Sequence, residues 1–459
     1  LEGAVGETLC RFESGLRHIN NIEGTMQKYL IQFILFSFIS AQTPDILLQN
    51  GLEMMNNGDL VGAQTSLEEA LQVNPTFAPA MIELSRVHLR NGDMQKTQEF
   101  IRKAIDADPE NQEFREEFER LNEINTLMAD GQRNMQSGDL SAAFESYRVV
   151  LEKFPYFAEA AYSMGLVKFR EKDFKNAVEN FKNALELNQL HENARTAIAN
   201  VAKKKFNEGN DSYRRRDLEG ALGAYDEVLV IDETFYQAHY QIGVIQSKMG
   251  DKSAAIVHYQ KALDIAPNFY KGFYAMSLSQ KAIGDNDGAL LSLESAVDIH
   301  PGYDKAYGAM GDIYINKKDY NKAESMLNTA IQVNPNYAKG YLSLGILFSE
   351  QEQFDLAIPN LEMATSLDKK KYMGWYRLAI AYNAQGDCEN AKRAARECTD
   401  KKSNFGGGWL ELGVAEWCKG RGSKRAAENA LEKARNDRSW RKSAEYELDK
   451  VRNPAKYQK

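Results

Sequence analysis

Apolar and small residues recur along this chain in paired stretches with helical spacing. The clearest example runs from Asp304 to Tyr337, 34 residues. Tyr307, Met310, Gly311 and Tyr314 fall at i, i+3, i+4 and i+7, one face of a helix. After Lys318-Asp319, residues Ala323, Leu327 and Ala330 mark a second face at i, i+4 and i+7. Asn334-Pro335 then ends that helix, because the residue before a proline is pushed out of the helical region. The pattern predicts helix, turn, helix, turn, with small residues where the two helices cross.

The same 34-residue step places further repeats at 338, 372 and 406, and backwards at 270, 236 and 202. Two shifts of register add 124–157 and 158–191, then 44–77 and 78–111, making eleven repeats. Position 8 is always small: Gly51, Ser85, Gly131, Gly165, Gly209, Gly243, Ser277, Gly311, Gly345, Ala379 and Gly413. A close helix crossing demands this, since a large side chain would hold the partner helix away. Position 20 is alanine in most repeats, and Gly-Asp recurs between the helices, as at Gly58-Asp59 and Gly250-Asp251. Glycine supplies the left-handed end of one helix and aspartate the cap of the next.

Departures from the step are few. Insertions at 112–123 and 192–201 carry their own helical faces and run unbroken into the following repeat. They predict two long helices, about 112–136 and 192–215, each roughly 36 Å long. The expected blocks are 44–111, 112–191 and 192–437. Pro359 predicts a bend in a second helix. Gly406-Gly407-Gly408 predicts a flexible joint or a close approach, and about one extra residue falls near Arg425. Residues 438–459 read as a charged capping helix and tail, as a terminal repeat with no outer neighbour requires.

Residues 44 to about 437 resemble the tetratricopeptide repeat family, through the small, alanine and proline positions and the position-4 aromatics Phe273, Tyr307, Tyr341, Trp375 and Trp409. The resemblance implies an all-α, right-handed superhelical solenoid of helix pairs. It also implies that the first helices line a concave face, with positions 2, 5, 9, 12 and 13 pointing inward. On those positions stand Tyr162, Phe206, Tyr240, Tyr274 and Tyr376 (position 5) and Phe169, Tyr213 and Trp417 (positions 12 and 13). Aromatics there suit a peptide groove, because they bury much area for few lost rotamers; alternatively they fill space between successive helices. Lys271, Lys305 and Lys339 share position 2 and predict a cationic rim, or simply three solvated lysines. The lysine and asparagine positions with which some relatives clamp a terminal carboxylate are mostly aromatic or aliphatic here.

The front of the chain lies outside the repeat. From Met26 a lysine precedes an apolar run from Tyr29 to Ile39, then Ser40, Ala41 and polar Gln42. That is the form of a signal peptide over 26–41, too short to span a bilayer comfortably. Residues 1–25 read as upstream or added sequence. The expected setting is therefore periplasmic or cell-surface, and cytoplasmic if 1–25 belongs to the native protein.

Chemistry is sparse. The sequence contains no phosphate-binding loop, no GxSxG and no HExxH, and its four cysteines lack zinc spacing, so no catalytic, cofactor or metal site is expected. His239 and His258 lie in one repeat and could approach each other. Cys388 and Cys418 fall near one edge of antiparallel neighbouring helices and could pair in an oxidising compartment. Charge is uneven: net +8 from Lys392 to Lys459 but −15 over 42–391, which suggests an anionic contact at the C-terminus or a solvated cap. No nucleic-acid partner is expected from a net charge of −8. The leading expectation is an exported, non-catalytic scaffold for protein or peptide segments, in envelope assembly or secretion. A regulatory subunit of a cell-wall or glycan enzyme and an intracellular adaptor are the alternatives.

Overall fold

The computed structural model describes residues 43–418 and 422–457. The expected signal segment 26–41 and the stretch before it lie outside the described residues. The described residues fall into two compact units, divided between Asn207 and Glu208. Among the described residues every regular element is helical.

In the first unit the helices are α1 (Pro44–Asn56), α2 (Leu60–Val73), α3 (Ala78–Arg90), α4 (Met94–Ala107), α5 (Gln112–Ser137), α6 (Leu140–Lys153), α7 (Ala158–Arg170) and α8 (Phe174–Leu187). The long α9 (Glu192–Arg214) runs across the division. The second unit continues with α10 (Leu218–Ile231), α11 (Tyr236–Met249), α12 (Lys252–Ile265), α13 (Tyr270–Ala282), α14 (Asn286–Ile299), α15 (Asp304–Asn316) and α16 (Tyr320–Val333). It ends with α17 (Ala338–Glu350), α18 (Phe354–Leu367), α19 (Tyr372–Gln385), α20 (Cys388–Lys401), α21 (Gly406–Trp417), α22 (Lys424–Arg435) and α23 (Arg441–Arg452). The two inserted segments do form single long helices, α5 and α9, with ends within one residue of those expected. Helix α18 runs unbroken through Pro359.

In nine of the eleven repeats the turn between the helices is built by one device; Gln353 makes no side-chain cap, and Ser423 caps the last repeat. Asp59, Asp93, Asp139, Asp173, Asp217, Asp251, Asp285, Asp319 and Asp387 each accept a hydrogen bond from the backbone N–H three residues on. This satisfies one of the free donors that every helix start exposes. Six of the preceding turns hold a glycine at positive φ, and Lys172, Arg216, Lys318 and Glu352 adopt the same left-handed conformation without a glycine's freedom.

The helix crossings explain position 8. A Cβ added at Gly311 would sit 2.5 Å from Leu327, and one at Gly209 would sit 2.6 Å from Tyr225. The position-20 alanines Ala63, Ala143, Ala177, Ala221, Ala255, Ala289, Ala323, Ala357 and Ala391 are fully buried beside these crossings. In the last repeat Gly413 meets Ala427 and Leu431, each two residues later than the spacing elsewhere, so two residues are inserted there rather than one. Gly406, Gly407 and Gly408 are all buried at the start of α21. They are sites of close approach, to Asp437, Trp440 and Cys398 respectively. Helix α23 closes the last repeat with Ala444, Leu448 and Val451 packed on Leu410, Ala427, Leu431 and Ala434.

Candidate binding surface

Within the second unit, neighbouring first helices pack on one another more extensively than neighbouring second helices do. In that unit the first helices therefore lie closer to one another than the second helices do.

The structure shows what the inward aromatics do. Tyr240 meets Phe269 edge-on at 5.0 Å, Tyr274 meets Tyr303 at 5.2 Å, and Tyr376 meets Phe405 at 5.0 Å. Each partner closes the loop before the next repeat, and each also touches the position-1 ring, Tyr236, Tyr270 or Tyr372. Position 5 thus builds an aromatic triad that welds one repeat to the next. Tyr376 is 7% exposed and also packs on Trp440, so it belongs to the core and not to a groove. Tyr240 and Tyr274 remain half-buried, with one edge available. Trp417 packs into the last core cluster. Tyr213 lies under Lys248, 4.4 Å from its ammonium. In the first unit Tyr162 packs between Phe181 and His191, and Phe169 meets Phe174 edge-on. Phe206 is half-buried on α9. Within the second unit Tyr240, Tyr274 and Tyr376 therefore lie at repeat junctions.

The lysine row is also divided. Lys339 is paired with Asp312 at 2.8 Å, and Ser343 donates to the same carboxylate at 2.6 Å. Lys271 lies beside its neighbour Tyr270, and Lys305 is exposed. Sequence spacing hid the decisive residue: Asp312, on the facing turn of α15, neutralises Lys339.

What the tertiary structure does gather is a polar centre on α13, α15 and α17. Tyr274 lies within the fields of Asp304, Asp312 and Lys339, and burial pushes its hydroxyl above the usual range. Burial acts the same way on Tyr303 and Tyr337, so all three phenols stay protonated and able to donate. Tyr337 leans over the bare backbone of Gly308, where a Cβ would lie 2.6 Å from its hydroxyl. Lys281 is half-buried, and burial lowers its affinity for a proton despite Asp312 nearby. Leu278, one turn before Lys281 and 45% exposed, supplies apolar surface beside them. In the first unit Arg90 donates to the Met55 carbonyl at 2.9 Å and lies 4.3 Å above the Tyr156 ring. The Asn188 amide in turn donates to the Arg90 carbonyl at 3.4 Å.

The two histidines do meet, Nδ1 to Nδ1 at 3.4 Å, and burial lowers the pKa of both. Among the described residues no three potential ligands cluster around a metal position. Cys388 and Cys418 are joined by a disulfide with Cα atoms 5.5 Å apart. Among the described residues Cys398 is the free cysteine; it is buried, and burial pushes its thiol up to about 12. No helix among the described residues is long and apolar enough to cross a membrane.

Sequence profiles described as tetratricopeptide repeat match residues 54–116, 158–189, 236–269, 282–344 and 374–401. The chain is a tetratricopeptide-repeat protein. Its helix pairs form an all-α solenoid fold. It is similar to the CTR9 homolog of Arabidopsis thaliana, 25% identical over 142 residues, 29% of this chain and 12% of that protein. The chain thus spans a small fraction of that relative's length. Among solved structures it is similar to a tetratricopeptide repeat protein from Parabacteroides merdae at 16% identity and TM-score 0.43, covering 55% of this chain and 99% of that one. It is also similar to the Cut9–Hcn1 APC/C hetero-tetramer at 14% identity and TM-score 0.46, covering 90% of this chain and 97% of that one.

Proposed function

We propose that this tetratricopeptide-repeat protein is a non-catalytic scaffold that holds an extended segment of a protein partner against the first helices of its second unit. The observation that carries the reading is the centre on α13, α15 and α17. There Leu278 and the edge of Tyr274 offer apolar contact, while Lys281 and protonated phenols offer hydrogen-bond donors. Such a mixture suits a main chain with alternating side chains, which needs donors for its carbonyls and apolar patches for its anchors.

Chemical crosslinking of wild type and of Leu278→Lys/Lys281→Glu, both confirmed folded by circular dichroism, tests it. The partner's crosslinks to α13 and α15 should disappear in the variant. Recovery of the same crosslinks at the same yield would remove the groove. Tyr240→Ala and Tyr274→Ala are poor probes, because those rings also join repeats.

Export is part of the proposal. The signal-like segment 26–41 motivates it, and the Cys388–Cys418 disulfide is the bond expected of an oxidising compartment. Fractionation of native cells with sequencing of the mature N-terminus checks it: a start at Gln42 in the exported fraction supports export, and a cytoplasmic protein retaining 26–41 overturns it.

A further inference from the structure

The end of the array holds a pocket that the aromatic and lysine patterns do not reveal. Helix α23 packs beside α21, and the two leave an open pocket of about 420 Å³ lined by Leu410, Glu411, Val414, Lys442, Ser443, Tyr446 and Glu447. Its floor is apolar, from Leu410 and Val414. One wall is Tyr446, 53% exposed. At its base stands Glu411.

The Glu411 carboxyl is half satisfied. Its Oε2 accepts from the Asn383 side-chain amide at 2.8 Å, and the same amide also donates to the Glu411 backbone carbonyl at 3.0 Å. Among the described residues no hydrogen-bond or ion-pair partner reaches Oε1, and that atom is not among the sealed, unpartnered ones. The other acid of the lining, Glu447, is already paired with Lys450 at 2.8 Å. Lys442 stands exposed on the rim. The basic charges of the tail are similarly exposed and screened by salt, whereas a carboxylate at the base of a concavity acts through a lower dielectric.

We infer that this pocket takes one lysine or arginine side chain of the bound segment, its stem along Leu410 and Val414 and its charged head against Glu411 Oε1. Three observations point to that occupant. The open carboxylate calls for a donor. The apolar floor and aromatic wall suit the methylene stem that such side chains bury beneath a charged head. A bare divalent ion would need several oxygen ligands, and among the described residues no such group of three exists. Proton affinity fits as well: burial pushes Glu411 up to about 7, with Glu447 adding to the shift and Asn383 opposing it. Around Glu411, Tyr376 on α19 and Cys398 on α20 stay protonated in its field, and Lys442, Tyr446 and Glu447 face the pocket from α23. A cation entering near neutral pH would therefore expel a proton from Glu411, and entry would weaken in acid.

The inference rests on the scaffold reading, and its test is separable from it. The full chain is titrated by ligand-observed NMR at pH 8 and pH 5 with capped tripeptides Gly-Arg-Gly, Gly-Lys-Gly and the neutral isostere Gly-citrulline-Gly. Saturable binding of the arginine or lysine peptide at pH 8 is expected, with about tenfold weaker binding of the citrulline peptide, of either cation at pH 5, and of both to Glu411→Gln. Glu411→Gln keeps the Asn383 hydrogen bond, and its thermal midpoint at pH 8 reports whether it is folded. Equal binding of citrulline and arginine, or undiminished binding to a folded Glu411→Gln, overturns the inference. If the peptides fail while Leu278→Lys/Lys281→Glu still abolishes partner crosslinks, the pocket assignment falls and the scaffold stands. If the peptides bind as expected but those crosslinks persist, the reverse holds.

Discussion

At the scale of residues, the structure turns repeat statistics into contacts that can be broken one at a time. Gly311→Val should destabilise the protein by about 1–3 kcal/mol, because the new side chain must enter space already held by Leu327. Urea unfolding followed by circular dichroism measures it. Lys318→Gly should do the opposite and add about 1 kcal/mol, since Lys318 holds φ 60° where only glycine is free of the Cβ clash. That position-8 residues must be small was legible in the chain, because their contact lies within the same repeat. The exposure of Tyr376 and the freedom of Lys339 were not, because they depend on Phe405, Trp440 and Asp312 in other repeats.

Titration also belongs to this scale, and two groups act in opposite directions. The folded-state pKa of Glu411 is raised to about 7, above that of an unfolded glutamate. Its contribution is harmless below the unfolded value and becomes a penalty as pH rises through the folded one. Glu411→Gln should therefore raise the thermal midpoint at pH 8, by up to about 3 kcal/mol in stability, and change nothing at pH 4. The pKa values of His239 and His258 are lowered by burial, and His239 also feels its neighbour. Their penalty is absent above the unfolded histidine value and grows as pH falls below it. Wild type should lose stability between pH 7 and pH 5, and His258→Gln should flatten that slope. An unchanged slope in the variant would assign the acid sensitivity elsewhere.

At the scale of elements, the last repeat is the one held by special means. Its connecting segment is two residues longer than elsewhere, its first helix starts with three buried glycines, and Cys418 closes that helix at φ 37°. The disulfide from Cys388 to Cys418 ties the start of α20 to the end of α21 across 30 residues of chain. Reduction, or Cys388→Ser/Cys418→Ser, should lower stability by about 2–4 kcal/mol, seen as an earlier melt of the C-terminal repeats by hydrogen exchange. Helix α23 buries Ala444, Leu448 and Val451, so Leu448→Asp should uncover the apolar end of α22 and promote association, measurable by light scattering. The helices α5 and α9 are legible in the sequence, because nothing in it breaks their helical face. The pocket over Glu411 was not, because α23 joins it from three dozen residues away.

At the scale of the whole molecule, the repeats are locally built and gather into two compact units. Unfolding should then depart from a single cooperative step, with Gly311→Val moving only the transition that belongs to 208–459. Coincident unfolding by all probes would refute this. The sequence by itself determined the helix pairs, their boundaries, their caps and their crossings, because each depends on residues within about 34 positions of one another. Only the tertiary structure decided which aromatics weld repeats, which lysines are already paired, and where a carboxylate is left open at the base of a pocket. Those outcomes depend on side chains from separate repeats meeting at one place, and a spacing rule confined to one repeat cannot contain them.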